Sequence, residues 1–256
     1  MNSGNLGFKG ASLTVLWNPA AILIIFVGTA ASICIAFPMT ELKKIPKLLK
    51  IIFREPKLIP KNEIIQVIVS LAITARREGL LAIENEISKI DDPFLRSSMQ
   101  LVIDGYDPAL VKNLLLEEIH AHEERHRSGA LIFTQAGTYA PTLGVLGAVI
   151  GLIAALGNLS DIEKLGHSIA AAFVATLLGI FSGYVLWHPI ANRLKRMSKK
   201  EMENKEMVVE GVLAIQAGYS PSVIEQMLRV YLTTSERLAK DSPKGVINNE
   251  QTQGAA

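Results

Sequence analysis

The chain has 256 residues, a formal net charge of +2 and hydrophobic side chains at 49% of its positions. This composition is typical of a membrane protein with a sizeable soluble part, and nothing in the charge balance calls for a nucleic-acid partner. The single cysteine, Cys34, excludes an internal disulfide and a cysteine-rich metal site. Because Cys34 lies in an apolar run, we interpret it as a small packing residue.

The first candidate membrane span follows a polar, glycine-rich N-terminal segment. Residues 1–12 show no secretory signal pattern, because no basic stretch leads into an apolar one. Asn18 precedes Pro19, a pair that is typical of a helix start. Residues 19–37 carry no charge and have about the length of one span, roughly 20 residues. We therefore predict a transmembrane helix over 19–37, with residues 1–18 on the external side.

A cluster of basic residues follows this span and sets its orientation. The positive-inside rule places such a flank in the cytoplasm. Within it, residues 41–53 have helical apolar spacing with lysines on the other side. This amphipathic segment either lies along the inner membrane surface or packs as a soluble helix on the cytoplasmic domain. The basic residues are Lys43, Lys44, Lys47, Lys50, Arg54, Lys57 and Lys61.

Residues 38–138 are predicted to form a helical cytoplasmic domain that ends in an extension of the next span. No alternating strand pattern appears in its soluble part, so we expect it to be all-α. Helical apolar spacing predicts one helix over 63–90 and another over 94–103. A third helix should begin at Pro108, because Asp107 is a good N-cap and proline is favoured in the first turn.

The long uncharged run over residues 129–159 contains no Asp, Glu, Lys, Arg or His. As a helix it would reach about 46 Å, more than the roughly 30 Å of a hydrocarbon core. The helix should therefore project beyond the membrane at its Gly129 end, and we assign 139–159 to the span. An external loop over 160–166 and a further span over 167–188 complete a transmembrane hairpin.

Basic residues return after the hairpin and place residues 189–256 in the cytoplasm. This tail is predicted to be helical, with a break at 218–221, and its last dozen residues are polar and expected to be disordered. The basic residues that follow the last span are Arg193, Lys195, Arg196, Lys199 and Lys200.

Small residues are frequent in the hairpin, and they let helices in lipid approach closely. Gly147 and Gly151 are four residues apart, as are Gly179 and Gly183. The hairpin has no ionisable group of its own near its centre. An ion path through hydrocarbon needs a protonatable or coordinating group, so a partner must supply it.

Three long stretches carry a family resemblance: residues 75–84 (ARREGLLAIE), 133–156 (FTQAGTYAPTLGVLGAVIGLIAAL) and 171–195 (AAFVATLLGIFSGYVLWHPIANRLK). They strongly resemble MotA, the ion-channel subunit of the flagellar stator, within a wider family that includes TolQ and ExbB. The resemblance implies an all-α integral membrane protein of the bacterial inner membrane, with transmembrane helices plus a helical cytoplasmic domain. The first of the four family spans is missing here, so we expect an upstream in-frame extension that encodes it.

The partners are also expectations from the resemblance. It implies a pentameric ring of MotA subunits in membrane lipid, around the transmembrane helices of a pair of MotB chains. MotB would supply a membrane aspartate that carries the proton, together with an anchor on peptidoglycan, and FliG would be the rotor partner. The resemblance favours protons over sodium. The alternative is a TolQ- or ExbB-like energiser of envelope transport.

A membrane enzyme is the competing class of function. The sequence holds no nucleophile–base pair, phosphate loop or HExxH zinc motif, so we expect neither an enzyme nor a cofactor. His122 and His126 lie one helical turn apart in a charged stretch, but no third ligand is evident in the sequence. We therefore predict no metal site there.

Pro141 and Pro189 match the two prolines that the MotA pattern has in its last two spans. A proline inside a helix removes a backbone hydrogen bond and can kink the helix. The resemblance thus predicts a movable point in each span. The alternative is that each proline only starts or ends a span.

The polar residues of the expected ion path lie on both spans of the hairpin. Thr176 and Ala175 match the fourth-span position that faces the path in the family, and Thr142 and Tyr139 are candidates on the third span. A hydroxyl can coordinate an ion or hold a water beside a carboxylate. The alternative role for a threonine is a hydrogen bond between helices.

Arg76 and Glu84 match the charged pair through which the MotA cytoplasmic domain meets FliG. Eight residues correspond to a rotation of about 80° on a helix. Both side chains are therefore expected to face one side of the helix predicted over 63–90. A solvated charged surface without a partner is the alternative.

Overall fold

The structure, a computed structural model, describes residues 7–8, 11–12, 17–54, 58–157, 162–234 and 236–237. Helices dominate the described residues, as the all-α prediction requires. The exception is an antiparallel pairing of two-residue strands, β1 (Gly7–Phe8) and β2 (Ala11–Ser12). In the described part of the chain, three helices are long and apolar enough to cross a membrane: Pro19–Ala36, Pro108–Leu156 and the continuous run Ile162–Gln216.

The chain divides into two compact units, residues 1–56 with 123–199 and residues 57–122 with 200–256. A 3₁₀ turn (Leu80–Ile83) separates the fourth and fifth α-helices, a π-helix (Ser182–Trp187) joins the eighth to the ninth, and a second 3₁₀ turn (Arg229–Tyr231) follows the tenth. The α-helices are α1 (Pro19–Ala36), α2 (Met39–Leu42), α3 (Ile45–Phe53), α4 (Lys61–Glu78), α5 (Glu84–Ile87), α6 (Pro93–Ile103), α7 (Pro108–Leu156), α8 (Ile162–Phe181), α9 (His188–Gln216) and α10 (Pro221–Leu228).

The first unit contains the apolar spans, and α1 begins where its sequence predicts. The Asn18 side chain accepts a hydrogen bond of 3.1 Å from the Ala21 backbone N–H, which satisfies one of the free donors of the first turn. The helix ends at Ala36, one residue before the predicted end. Its buried residues Ile25, Thr29 and Ile33 recur every four positions and mark the side that packs on other helices.

The amphipathic segment forms α2 and α3, and its apolar side is occupied by the first unit itself. Ile52 is buried in a cluster with Ala130 and Phe133 of α7 and Ala191 of α9. Leu48 lies so close to α7 that a Cβ atom at Gly129 would be 3.1 Å from its Cδ1. The apolar face of α3 is therefore packed on protein, and its lysines lie on the other side.

The hairpin differs from the prediction at its outer turn. Residues 162–166, which we assigned to the external loop, form the first turn of α8. Residues 158–161 lie outside the described residues. The apolar spacing of the following span continues through Ile162 and Leu165, so the helix begins before the uncharged run does.

The second unit has a conventional hydrophobic core. Ile68 of α4, Met99 of α6, Val111 of α7, and Met207 and Val212 of α9 are all fully buried in it. Ile68 lies directly against α9, because a Cβ atom added at Gly211 would be 2.6 Å from its Cδ1. Burial of this kind is the main source of stability for a water-soluble helical domain.

One helix boundary in this unit was wrong in the prediction. The helix expected over 63–90 ends at Glu78. Gly79 has a φ of +88°, a conformation that side-chain-bearing residues rarely adopt and that ends a helix. The chain then passes through the 3₁₀ turn into the short helix α5.

Other predicted boundaries are confirmed by the capping bonds. The Asp107 side chain accepts from the backbone N–H groups of Ala109 and Leu110, at 2.9 and 3.2 Å, and starts α7 at Pro108. The predicted break at 218–221 is present, with Gly218 at a φ of +74°. The tail segment predicted to be disordered lies outside the described residues.

We expect Ile68→Ala to destabilise the second unit by about 2–5 kcal/mol, because it leaves a cavity in a closed core. Ile73→Ala is the matched control on the same helix, since Ile73 is 42% exposed and surface changes shift stability by only about 0.5 kcal/mol. Urea unfolding of the detergent-solubilised protein, followed by pulse proteolysis, measures both. Equal unfolding midpoints for the two variants would contradict this core.

Candidate functional site

The two helices of the hairpin, α7 and α8, touch backbone to backbone at one point. A Cβ atom at Gly144 would lie 2.9 Å from the Gly179 Cα and 2.9 Å from the Ala175 carbonyl oxygen. Reciprocally, a Cβ atom at Gly179 would lie 2.9 Å from the Gly144 Cα and from the Ala140 carbonyl oxygen. Only glycine fits both positions, which is how helices in lipid gain close van der Waals contact.

Pro141 lies inside the helix α7. It has no backbone N–H, so the carbonyl oxygen of Gly137 receives no helical hydrogen bond from it. This turn packs against Gly183, where an added Cβ atom would be 2.7 Å from the Pro141 Cγ and 2.8 Å from the Gly137 oxygen. The structure thus brings the predicted proline together with a glycine of the other helix.

A π-helix over Ser182–Trp187 interrupts the continuous α8–α9 rod directly before the second predicted proline. The backbone N–H of His188 donates to the Gly183 carbonyl oxygen, five residues back, and Pro189 follows as the second residue of α9. Proline cannot donate to the preceding turn, and a wide π turn is one way in which a helix accommodates such a missing bond. Pro189 itself is exposed.

The imidazole of His188 fills the space that Gly137 leaves open. Three atoms of the ring, Cδ2, Cε1 and Nδ1, would each lie 2.9 Å from a Cβ atom at Gly137. The ring centroid is 5.2 Å from that of Tyr184 on the π-helix. The predicted span over 167–188 ends at His188, but the sequence did not indicate this contact.

The two threonine hydroxyl groups of the predicted ion path form hydrogen bonds within their own helices. Thr176 donates to the Ala172 carbonyl oxygen at 3.2 Å, and Thr142 donates to the Tyr139 carbonyl oxygen at 2.7 Å. These bonds leave the lone pairs of each hydroxyl oxygen available as acceptors. Thr142 is exposed, whereas Thr176 and Tyr139 are half-buried and Ala175 is buried.

The small residues of the hairpin are not equivalent. A Cβ atom at Gly147 would make ordinary contact with Ile24 of α1 at 3.6 Å, whereas one at Gly151 would meet nothing within 4 Å. Within this chain, Gly151 therefore takes no part in close helix packing. Spacing identified both pairs of glycines, but only contacts across the helices separate those that need glycine from those that do not.

Comparison with known proteins places the chain in a family. The model of the MotA/TolQ/ExbB proton channel family matches residues 86–207. Motility protein A of Bacillus subtilis is 54% identical over 90% of this chain and 85% of its own length. Motility protein A of Borreliella burgdorferi is 36% identical over 94% of this chain and 92% of its own. The chain belongs to the MotA/TolQ/ExbB proton channel family.

A solved structure supports the same conclusion at the level of the fold. The structure of the flagellar MotAB stator complex from Bacillus subtilis contains a chain that is 53% identical to this one. It superposes with a TM-score of 0.85 and covers 92% of both chains. The family resemblance read from the sequence is thereby confirmed, as is the class of all-α membrane protein.

The charged residues that resemble the family's rotor contact lie in the second unit. Arg76 is exposed in the last turn of α4, and Glu84 is exposed at the start of α5. Arg76 and Glu84 do not lie on one helix, as their spacing predicted, because α4 ends at Glu78. Their relation is instead fixed by the turn at Gly79 and by a bond of 3.0 Å from the Thr74 hydroxyl to Glu86.

The two histidines of α7 have neighbours that the sequence did not reveal. His122 Nδ1 lies 3.5 Å from a carboxylate oxygen of Glu201, and His126 Nδ1 lies 3.2 Å from the Ser198 hydroxyl. Both neighbours lie on α9, far along the chain. The pairing of α7 with α9 could not be read from the spacing of the histidines alone.

We expect Gly179→Ala to weaken the packing of α8 on α7, because the added methyl group would clash with backbone atoms of α7, which cannot move away as a flexible side chain could. Gly151→Ala is the matched control in the same hairpin, since within this chain its methyl group enters open space. The measurement is the yield and melting temperature of the detergent-solubilised complex. Gly179→Ala should lower both, and Gly151→Ala should leave both within error of the parent. A Gly179→Ala protein as stable as the parent would refute the backbone contact.

Proposed function

We propose that this chain is an ion-conducting stator subunit of a bacterial flagellar motor. With a MotB-like partner it couples proton flux across the inner membrane to torque on the rotor. The support is the likeness over most of the chain to relatives named Motility protein A and to a chain of a flagellar MotAB stator complex. These relatives favour the motor over the alternative, a TolQ- or ExbB-like energiser of envelope transport.

The observation that carries the mechanism is an apolar hairpin without an ionisable group at its centre. Residues 129–159 hold no acidic or basic side chain, and the next helix holds none between His167 and His188. A bare ion in hydrocarbon is too costly, so an acidic side chain of the partner carries the proton. This chain supplies the surface along which that carboxylate moves.

The polar groups that accompany the carboxylate are hydroxyls. Thr176 and Thr142 are held by their own helix carbonyls, so each presents its oxygen lone pairs in a fixed direction. The small side chain of Ala175 leaves space beside Thr176, and Tyr139 lies about one turn before Thr142 on α7. Together these groups offer room and acceptors without adding a competing charge.

The two prolines give each helix a point that can bend. Pro141 leaves one carbonyl of α7 without a helical donor, and Pro189 is the second residue after the π-helix. When the partner carboxyl group is protonated it can donate a hydrogen bond to the free Gly137 carbonyl oxygen, whereas the ionised carboxylate is repelled by that oxygen. Bending at both points then transmits protonation to the cytoplasmic part of the chain.

The assembly is a pentameric ring of this chain around a pair of MotB-like helices. Large apolar residues lie exposed along α8, including Phe173 at 74%, Leu177 at 53% and Ile180 at 47%. Exposed apolar surface on a membrane helix is covered by lipid or by a neighbouring helix.

The rotor partner, a FliG-like protein, meets the exposed charges Arg76 and Glu84.

The test of conduction is a pair of substitutions at one position. Thr176→Leu should stop proton entry, because it fills the space beside Ala175 and removes the hydroxyl, while Thr176→Ser should conduct like the parent. The assay is cytoplasmic acidification on co-expression with a MotB whose plug has been deleted. Conduction by Thr176→Leu at the parent's rate would overturn this position in the ion path.

The rotor contact has its own test. Arg76→Glu and Glu84→Lys should each impair swimming without changing the amount of protein in the membrane, because the contact acts by charge. An opposite charge reversal on the rotor partner should partly restore swimming. Normal motility in both single variants would remove these residues from the interface, whereas the conduction assay would be unaffected.

A further inference from the structure

His188 is the next histidine after His167 on the continuous α8–α9 helix. Histidine is the residue type that exchanges protons near neutral pH. Tyr184 is the one other titratable residue between them. The first basic residue beyond is Arg193. His188 therefore lies between the uncharged span and the basic cytoplasmic flank.

The position of His188 on the helix relates it to the expected ion path. Thr176, Ile180, Tyr184 and His188 recur every four residues. On an α-helix each such step overshoots a full turn by about 40°, so the four would spiral away from one another. A π-helix has more residues per turn than an α-helix. The step from Tyr184 to His188 runs through the π-helix and therefore rotates by less than a full turn, which offsets part of the rotation accumulated along α8. Thr176 and His188 are thereby kept on a common side.

The contacts of the imidazole leave its nitrogens available. Three ring atoms are equally distant from the Cβ position of Gly137, so the ring lies with its face towards that backbone. Its nitrogens are on the ring edge and do not point into α7. His188 is half-buried, and α7 between Gly129 and Leu156 contributes one titratable side chain, Tyr139. No acid or base of that stretch competes for the proton.

We propose that His188 is the cytoplasmic proton acceptor of the ion path. The inference rests on the proposed function and deepens it. A carboxylic acid of the partner, at the level of Thr176, releases its proton through water to a neutral imidazole nitrogen. The imidazolium then loses a proton to cytoplasmic water, so that one proton has crossed and the side chain is neutral again. Twelve residues separate the two levels, about 18 Å of helix, so water must bridge them.

The experiment replaces His188 in the full chain, co-expressed with a plug-deleted MotB. His188→Phe keeps a ring over Gly137, and His188→Gln keeps a polar side chain, but neither exchanges protons near neutral pH. His167→Gln, at the exposed outer end of α8, is the control. Each complex is first purified to establish that it assembles. Proton flux is then followed in proteoliposomes at a fixed pH difference, while the pH on the cytoplasmic side is varied.

We expect both His188 variants to conduct at least about tenfold less than the parent, within the range that a positioned proton acceptor supplies. The parent and His167→Gln should change their flux with cytoplasmic-side pH between about 5 and 8, and the His188 variants should not. His188→Ala should recover flux when imidazole is added on the cytoplasmic side. A purely structural role would give no recovery and no change in the pH profile.

The results that overturn the proposal are distinct from those that overturn the function. If the parent conducts and an assembled His188→Phe or His188→Gln complex conducts equally at every pH, His188 is not the acceptor. If flux is lost uniformly over pH and imidazole does not restore it, the ring only packs on Gly137, and the proposal is again wrong. A parent that does not conduct at all contradicts the proposed function itself, and the proposal with it.

Discussion

The contact between Gly144 and Gly179 is the constraint on which the apolar hairpin depends. Lipid tails are as apolar as the side chains of these helices, so no hydrophobic effect drives α7 and α8 together. Close backbone packing has to supply the attraction. Once this crossing is fixed, the next turns are fixed as well, because Pro141 then meets Gly183 and Gly137 then faces His188. The irregular features of both helices therefore lie along one line of contact.

The irregularities of the hairpin are backbone features rather than charges. A helix-internal proline, a π-helix and a second proline concentrate unsatisfied or rearranged backbone bonds within a short part of the two spans. In an apolar medium such groups are costly unless protein or water satisfies them. In the proposed function, they serve as acceptors and bending points for a partner's carboxylate, without a buried charge in this chain.

The second unit follows different physics. Its core residues, such as Ile68, Met99 and Met207, are withdrawn from water, and the hydrophobic effect stabilises it directly. Its charged residues are therefore free to lie on the surface, as Arg76 and Glu84 do. The two units are therefore stabilised differently, by close backbone packing in the first and by burial of apolar side chains in the second.

The sequence by itself determined which helices are apolar enough to cross a membrane, most helix starts and the family, because these depend on local features. Hydropathy reports the solvent of a helix, and Asn18 and Asp107 cap the turns that directly follow them. It did not reveal that α4 ends at Glu78, that Gly151 is free of close contact, or that His188 lies on Gly137. Those facts depend on how far two helices rotate about their axes and on backbone dihedrals at single residues. Residue spacing contains neither quantity, so only the tertiary structure decided them.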